Sequence, residues 1–158
     1  ERVSIRNLET ILEVLADYGT RTKDIDVLTE YVRQALARQI CADYKDEQGV
    51  VRVVTLSPEI EQAIVNATQN MEGGGSYAPM DPNVANEIAV STAEAVQALA
   101  SSGYDPLVLT TAQVRRFFKR MVESQVPKLV VLSYNEMDPQ LQLESLGQVE
   151  NKPASVEA

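Results

Sequence analysis

Apolar residues recur at helical spacing through the first forty positions. In "ERVSIRNLETILEVLADYG" they return every three or four residues, which predicts a helix over about residues 4–18. Ser4 is the expected cap of this helix, and Gly19 the expected left-handed residue at its end. A second helical stripe follows the polar connector "TRTKD" and contains Leu28, Val32, Ala35, Leu36 and Ile40. The two helices predict an antiparallel hairpin, which buries little alone and needs a partner inside or outside this chain.

Beyond the charged turn "YKDEQG", short β-branched runs alternate with helical patterns. "VVRVVTL" (50–56) predicts a strand buried on both faces, and "PLVLT" (106–110) and "KLVVLS" (128–133) predict two more. Helices are expected over about 57–70, 81–101 and 111–124, with Ser57-Pro58 and Asp81-Pro82 as starts and Gly103 after the second. The strand–helix–strand order predicts a right-handed parallel crossover. The alternating "QLQLESLG" predicts an edge strand with its Gln and Glu side chains facing water.

These elements predict an α/β fold, α+β overall: a helical hairpin followed by a small α/β subdomain with a mixed sheet of about four strands. We place the C-terminal part of a helical subdomain at residues 1–44 and the α/β subdomain at 45–150. The polar end of the chain predicts a disordered tail at 151–158.

Composition excludes several classes of function. The formal net charge is −9, from 23 acidic and 14 basic residues, which disfavours binding to nucleic acid or to an anionic membrane. The chain has no histidine and a single cysteine, Cys41. It therefore lacks the most common general base, an internal disulfide and the ligands of a zinc site. No cofactor or metal is expected, and Cys41 is expected to be a buried, unreactive thiol.

Two motifs suggest ligand binding, but each has a simpler explanation. The "GGGS" stretch at 73–76 follows a predicted helix and has no lysine nearby, so it is better explained as a flexible linker than as a phosphate loop. Several hydroxyls are expected at the carboxyl ends of the strands, where open α/β sheets bind ligands. They are Thr55, Ser57, Thr110, Thr111 and Ser133. No base accompanies them, and Ser57 and Thr111 are explained as helix caps.

Three groups of carboxylates are candidates for acid–base or magnesium sites: Asp24 and Asp26; Asp43, Asp46 and Glu47; Glu136 and Asp138. Asp24 or Asp26 is expected to cap a helix, and the other two groups to lie in exposed turns. A small α/β enzyme with a carboxylate site therefore remains a remote alternative.

A basic run, "QVRRFFKRM", stands out in an acidic protein. It contains Arg115, Arg116, Lys119 and Arg120. Such a patch can orient a partner protein or a neighbouring copy of the same chain. It can also be a solvated helix face whose aliphatic stems cover the edge of the sheet. Both interpretations stay open at this point.

Three long segments resemble one known family. They are "ERVSIRNLETILEVLADYGTRTKDIDVLTEYVRQALARQI", "VVTLSPEIEQAI" and "VRRFFKRMVESQVPKLVVLSYNEMDPQLQLESLG", and the resemblance that they carry extends over nearly the whole chain, to about residue 150. In content and order they resemble the cytoplasmic region of the type III secretion export-gate (FHIPEP) family, which serves flagella and virulence injectisomes. Where the virulence branch often has "WAPREKD", this chain has "DYGTRTKD". That difference, with "SYNEMDPQLQLESLG", favours the flagellar branch, and the virulence branch is the alternative.

The resemblance implies a non-enzymatic part of a protein-export machine at the cytoplasmic face of the bacterial inner membrane. Its implied partners are other copies of itself in a ring, export chaperone–substrate complexes and other export-apparatus proteins, with the membrane reached through an upstream domain. It implies that residues 1–44 belong to a third, helical subdomain and the rest to a fourth. Ring contacts are expected in the helical block, which makes Arg33 and Arg38 interface candidates. The chaperone-docking cleft is expected largely outside this chain, and the isolated chain is expected to be a monomer or weak dimer. A plain spacer domain is the third option.

Overall fold

The computed structural model describes residues 3–69 and 80–150. Three helices come first: α1 (Leu8–Tyr18), α2 (Ile25–Ala35) and α3 (Ala37–Ala42). The rest alternates as β1 (Val50–Leu56), α4 (Pro58–Gln69), α5 (Pro82–Ser101), β2 (Leu107–Thr110), α6 (Ala112–Val122), β3 (Val130–Ser133), a 3-10 turn (Tyr134–Glu136) and β4 (Gln142–Val149). The predicted "GGGS" linker and the predicted tail lie outside the described residues.

The four strands form one sheet in the order β3-β2-β1-β4, and every neighbouring pair is parallel. The α/β class, the four strands and the parallel β2–β3 crossover are confirmed, whereas the predicted mixed sheet is wrong. After β3 the chain crosses back over one face of the sheet through residues 134–141, and β4 then starts beside the start of β1, with Gln142 opposite Val50. A connection this short normally joins antiparallel neighbours. Here it leads to the opposite edge, so the direction of β4 was not visible in the sequence.

β4 is an edge strand, as predicted, but its leucines are not buried. Leu143 and Leu146 are 44% and 45% exposed, and within β4 the buried side chain is Val149. A register shift pairs Val53 with Ser145 and Val54 with Gly147, which leaves Leu146 without an opposite residue. The alternation of apolar and polar residues therefore marks an edge strand, which pairs with one neighbour. It does not mark a strand with one buried face.

The two faces of the sheet carry separate apolar clusters. Even-numbered positions of β1 (Val54 and Leu56) pack with helices α4, α5 and α6. Odd-numbered positions (Val51 and Val53) pack with the region around α3 and with the crossover 134–141. The predicted burial of β1 on both faces is confirmed, because successive side chains of a strand point to opposite faces.

The first helical segment starts and ends differently from its prediction. Asn7 caps α1, because its Oδ1 accepts a hydrogen bond from the Thr10 N–H at 3.5 Å, while the Ser4 hydroxyl accepts from the Arg6 N–H. Gly19 has a φ of −64°, so the predicted left-handed conformation is wrong. A Cβ atom there would lie 2.4 Å from the carbonyl oxygen of Leu15. Glycine is therefore required by close approach and not by a positive φ.

The second predicted helix is two helices. α2 ends at Ala35 and α3 begins at Ala37, with Leu36 between them at φ −92° and ψ 9°. Asp24 caps α2, as predicted: its Oδ1 accepts from the N–H groups of Asp26 and Val27 at 2.9 and 3.3 Å. A single apolar stripe does not reveal a one-residue break, because the stripe continues through it.

The caps of α4 and α5 are confirmed, while that of α6 comes from another helix. Ser57 accepts from the Ile60 N–H at 3.4 Å, and Asp81 accepts from the Asn83 N–H at 2.8 Å. Thr111 occupies the capping position of α6 but makes no side-chain cap bond. Glu61 of α4 replaces it by accepting from the Thr111 N–H at 3.2 Å. A carboxylate at this end also complements the helix dipole.

The core around α6 yields a stability prediction. Phe118 is fully buried between α6 and the sheet, whereas Phe117 beside it is partly buried under the Arg116 guanidinium. We expect Phe118→Ala to lower the free energy of unfolding by about 3–5 kcal/mol, since it removes a large apolar side chain and leaves a cavity. Phe117→Ala is the control and should cost clearly less. Urea unfolding followed by circular dichroism measures both, and equal losses would contradict this packing.

The turn before β1 yields a pH prediction. Asp46 accepts from the Val50 N–H at 2.9 Å and from the Arg52 guanidinium at 2.6 Å. These hydrogen bonds, first that of Val50, lower the pKa of Asp46 in the folded state. Its stabilising contribution is therefore present above the ordinary aspartate pKa of about 3.9 and is lost as pH falls through the lower, folded value.

We therefore expect Asp46→Asn to be less stable than the parent at pH 7, with the difference shrinking below about pH 4. Asp43→Asn, in the same turn, is the control because its side chain lacks these hydrogen bonds. Urea midpoints between pH 3 and 7 measure the difference. A gap that stays constant over this range would show that the Asp46 carboxylate does not contribute through its charge.

Candidate functional site

The six basic side chains predicted as interface candidates differ widely in exposure. Arg33 and Arg115 are buried, with 7% and 6% of their surface exposed. Lys119 is mostly covered, and Arg116 and Arg120 are partly exposed. The Arg38 side chain is 82% exposed and lies 3.6 Å from an Asp138 carboxylate oxygen. Arg38, Arg116 and Arg120 thus present the most surface to a partner, and the interface role of all six stays a prediction.

Glu136 lies at the centre of a buried group of charges. Its Oε1 accepts from Arg33 Nε at 2.6 Å, and its Oε2 accepts from the N–H and hydroxyl of Ser133 at 2.7 and 2.9 Å. Arg115 Nε stands 3.8 Å from the same Oε2. Glu136 is 1% exposed, so its predicted place in an exposed turn is wrong. The turn itself is real, but α2, α3 and α6 surround it.

The sequence around this carboxylate contains a local signal that the exposed-turn prediction did not use. Ser133-Tyr-Asn-Glu136 has the spacing of a capping box, in which serine and glutamate each bond to the backbone of the other. The structure contains both of these bonds around the 3-10 turn. The capping box explains where Glu136 points, although it does not reveal that two arginines approach it.

Arg115 extends the buried charges to α2. Its Nε donates to Glu30 Oε2 at 2.9 Å, and its Nη2 makes a second, shorter contact with Glu30 Oε1. Arg33 and Arg115 each direct a guanidinium nitrogen at the carbonyl oxygen of Val131, at 3.5 Å. Two positive and two negative groups thus alternate as Arg33, Glu136, Arg115 and Glu30. The network is neutral and joins α2 to α6, β3 and the 3-10 turn.

The rest of the basic run also faces partners within the chain. Asp26 of α2 binds Arg116 at 2.9 Å and Arg120 at 3.0 Å. Lys119 donates to the Leu129 carbonyl at 3.0 Å. From the sequence, this run could be a partner surface or a solvated face. The structure adds a third role, because Arg115, Arg116 and Arg120 hold α2 against α6.

Cys41 is buried, as predicted. Its Sγ donates to the carbonyl oxygen of Glu136 at 2.9 Å, and burial is the main cause of the raised pKa of its thiol. A buried thiol with a raised pKa is a poor nucleophile. Within residues 3–69 and 80–150, no group of three or more His, Cys, Asp or Glu side chains could hold a metal ion.

The hairpin α1–α2 exposes an apolar surface, here called the α1 surface and defined by Ile5, Leu8, Leu12 and Leu15. These side chains are 38–77% exposed, and no side chain of α1 is buried. The groove between α1 and α2 beside them has a volume of about 560 Å³ and is mostly apolar. Helix α1 therefore shows the apolar stripe of a packed helix without a matching layer in the described part of the chain. The sequence predicted this need for a partner but not which side chains would stay uncovered.

No helix among the described residues has both the length and the apolar character needed to span a membrane.

Comparison with known proteins gives consistent matches over almost the whole chain. The flagellar biosynthesis protein FlhA of Bacillus subtilis (strain 168) is 43% identical over 150 residues, which are 95% of this chain and 22% of that protein. A solved complex of the Chlamydia pneumoniae CdsV and CdsO proteins matches with a TM-score of 0.83 and 34% identity, over 94% of this chain and 44% of that one. The nonameric EscV cytosolic domain from the type III secretion system matches with a TM-score of 0.75 and 32% identity, over 94% and 43%.

The chain thus spans about a fifth of the length of its flagellar relative and less than half of each solved chain. Residues 1–142 match the FHIPEP family. The agreement of this match with both fold and sequence relatives shows that the chain belongs to the FHIPEP family of type III export-gate proteins.

Proposed function

We propose that this chain is the C-terminal part of the cytoplasmic region of a type III export gate, at the cytoplasmic face of the bacterial inner membrane. In this role it helps to form a homo-oligomeric ring that receives chaperone–substrate complexes and takes part in switching the class of exported substrate. The observation that carries the proposal is the family match over residues 1–142. The proposal assigns a binding role and no catalysis, which agrees with carboxylates engaged in hydrogen bonds and ion pairs, as Glu136 is.

The proposed ring is supported by the α1 surface. The EscV relative is nonameric, and in this chain the helical hairpin carries exposed apolar side chains on α1. Burial of such side chains between copies stabilises an assembly at roughly 25 cal/mol per Å² of apolar surface. Arg38 of α3, whose side chain is 82% exposed, is a second candidate for such a contact, through its charge.

The flagellar branch is favoured by the 43% identity to the Bacillus subtilis protein. The virulence branch is the second candidate, and it is supported by the structural match to the EscV domain of a type III secretion system. Both branches share the proposed mechanism and differ in the exported cargo. We also infer a partner from the export apparatus, since the CdsV relative was solved in complex with CdsO.

The ring contact predicts the effect of charges on the α1 surface. Leu8→Glu combined with Leu12→Glu places two carboxylates where apolar contact is proposed, without disfavouring the helix, because glutamate is a good helix former. We expect self-association of the complete gene product, followed by light scattering, to weaken at least about tenfold, a change of about 1.4 kcal/mol. Val90→Glu, an exposed apolar position on α5, is the matched control. Equal effects of both changes would remove the α1 surface from the ring contact.

The function is tested in the cell by deletion of the region that encodes residues 1–150. We expect flagellin to be made but retained inside the cell, because the export ring loses this part. Continued flagellar assembly with loss of virulence-effector secretion would select the second branch. Normal export of both cargoes would overturn the proposed function.

A further inference from the structure

Helix α2 is held to the rest of the chain by charged pairs, beside the partly buried Val32, which packs with Ile11 of α1 against the apolar cluster on this face of the sheet. In α1 and α2, all of whose residues the structure describes, the one buried side chain is Arg33. In contrast, α3 buries Ile40 and Cys41, and Leu36 just before it is also buried. The fully buried apolar side chains of the helical block therefore begin at Leu36.

Charged residues on one side of α2 each contact a residue of opposite charge beyond the hairpin. Asp26, Glu30 and Arg33 are spaced by four and three residues, so they lie on one face of the helix. Asp26 pairs with Arg116 and Arg120, Glu30 with Arg115, and Arg33 with Glu136. We call these seven residues the charged seam. Interfaces within a chain that rest on polar contacts permit relative motion more readily than large apolar ones.

The break between α2 and α3, at Leu36, lies at the end of this seam. The backbone of Leu36 leaves helical geometry between α2 and α3, while its side chain stays buried against the sheet. A change of backbone angles at one element-terminal residue is enough to turn a rigid helix pair. Within the described part of the chain, Ile11 is the α1 side chain that packs against the sheet-face cluster, while Leu8, Leu12 and Leu15 make no buried contact that a turn would break.

We propose that the α1–α2 hairpin is an arm that turns about Leu36, and that Glu136 is the positioning residue that fixes its orientation. Glu136 is the seam member that contacts both buried arginines, and it belongs to the crossover 134–141. Without the charge of Glu136, Arg33 loses the carboxylate that its Nε contacts at 2.6 Å in a buried site, and the seated position of α2 is destabilised. A shift of the crossover therefore releases the arm. The functional meaning of this motion, a change in the orientation of the α1 surface, rests on the proposed ring.

Hydrogen–deuterium exchange of the complete 158-residue chain tests the proposal. Glu136→Gln keeps the shape of the side chain and an acceptor for the Ser133 bonds but removes the charge. A released helix of eleven residues is marginal in water, so we expect amides of residues 8–35 to exchange about 10- to 100-fold faster. Amides of β1 and β2 should keep their rates, because their opening is a separate, higher-energy event.

A second variant places the change on the opposite side of the seam. Arg116→Gln combined with Arg120→Gln alters partly exposed side chains of α6, so the fold should be retained, and the readout lies in α2. We expect exchange in α2 to rise about 3- to 10-fold, since exposed pairs are weaker than buried ones. Asp46→Asn, a charge removed from the ion pair with Arg52 before β1, is the control and should leave residues 8–35 unchanged.

Two results would overturn the proposal. One is an equal acceleration of the hairpin and of β1 and β2 in Glu136→Gln, which would mark a general loss of stability. The other is parent-like exchange of α2 in the double arginine variant, and this second result decides the matter if Glu136→Gln does not fold.

Light scattering of the complete gene product separates this inference from the ring itself. Faster hairpin exchange with an unchanged assembly size would support the hinged arm and contradict the role of α1 in the ring. A lost assembly with fully protected hairpin amides would contradict the arm and leave the ring proposal standing.

Discussion

A carboxylate buried between two guanidinium groups governs how the two halves of the described structure fit together. Glu136 is contacted by Arg33 from the helical block and approached by Arg115 from α6. Charges are costly to remove from water, and the cost is offset here because Glu30, paired with Arg115, makes the four-residue network neutral and Ser133 supplies two more hydrogen bonds to Glu136. Removing one charged side chain from this network leaves a buried charge of opposite sign less well compensated. The network therefore orients α2 for as long as its members stay charged and paired.

The same carboxylate depends on an unusual path of the chain. Parallel strands normally need a long crossover, yet β3 is joined to β4 by the short segment 134–141 across one face of the sheet. This segment covers part of the sheet that a longer helix would otherwise cover, with Met137 and Leu141 packed against the cluster around Val53. It also brings Glu136 under α2. The segment 134–141 therefore takes part in both features: it joins β3 to β4, and it carries Glu136 of the charged seam.

Charge has different roles in different parts of the molecule. The acidic surface of the protein, at a net charge of −9, disfavours nonspecific contact with polyanions. The concentrated cations of α6 are largely matched by Asp26 and Glu30 on α2. The apolar α1 surface stays exposed on the helical block and is available for contacts with other molecules. This separation agrees with a protein whose EscV relative is nonameric, and it leaves Arg38 as the most exposed of the candidate cations.

The sequence by itself determined the local elements and the family. Helix and strand positions follow from apolar periodicity, and the caps at Asp24, Ser57 and Asp81 follow from short-range chemistry, so both are readable along the chain. Tertiary structure decided what depends on distant residues: the parallel direction of β4, the capping of α6 by Glu61, the break at Leu36 and the burial of Glu136. Arg33 and Glu136 are 103 positions apart. No local pattern encodes that meeting, because it exists only once the sheet, the crossover and the hairpin have packed together.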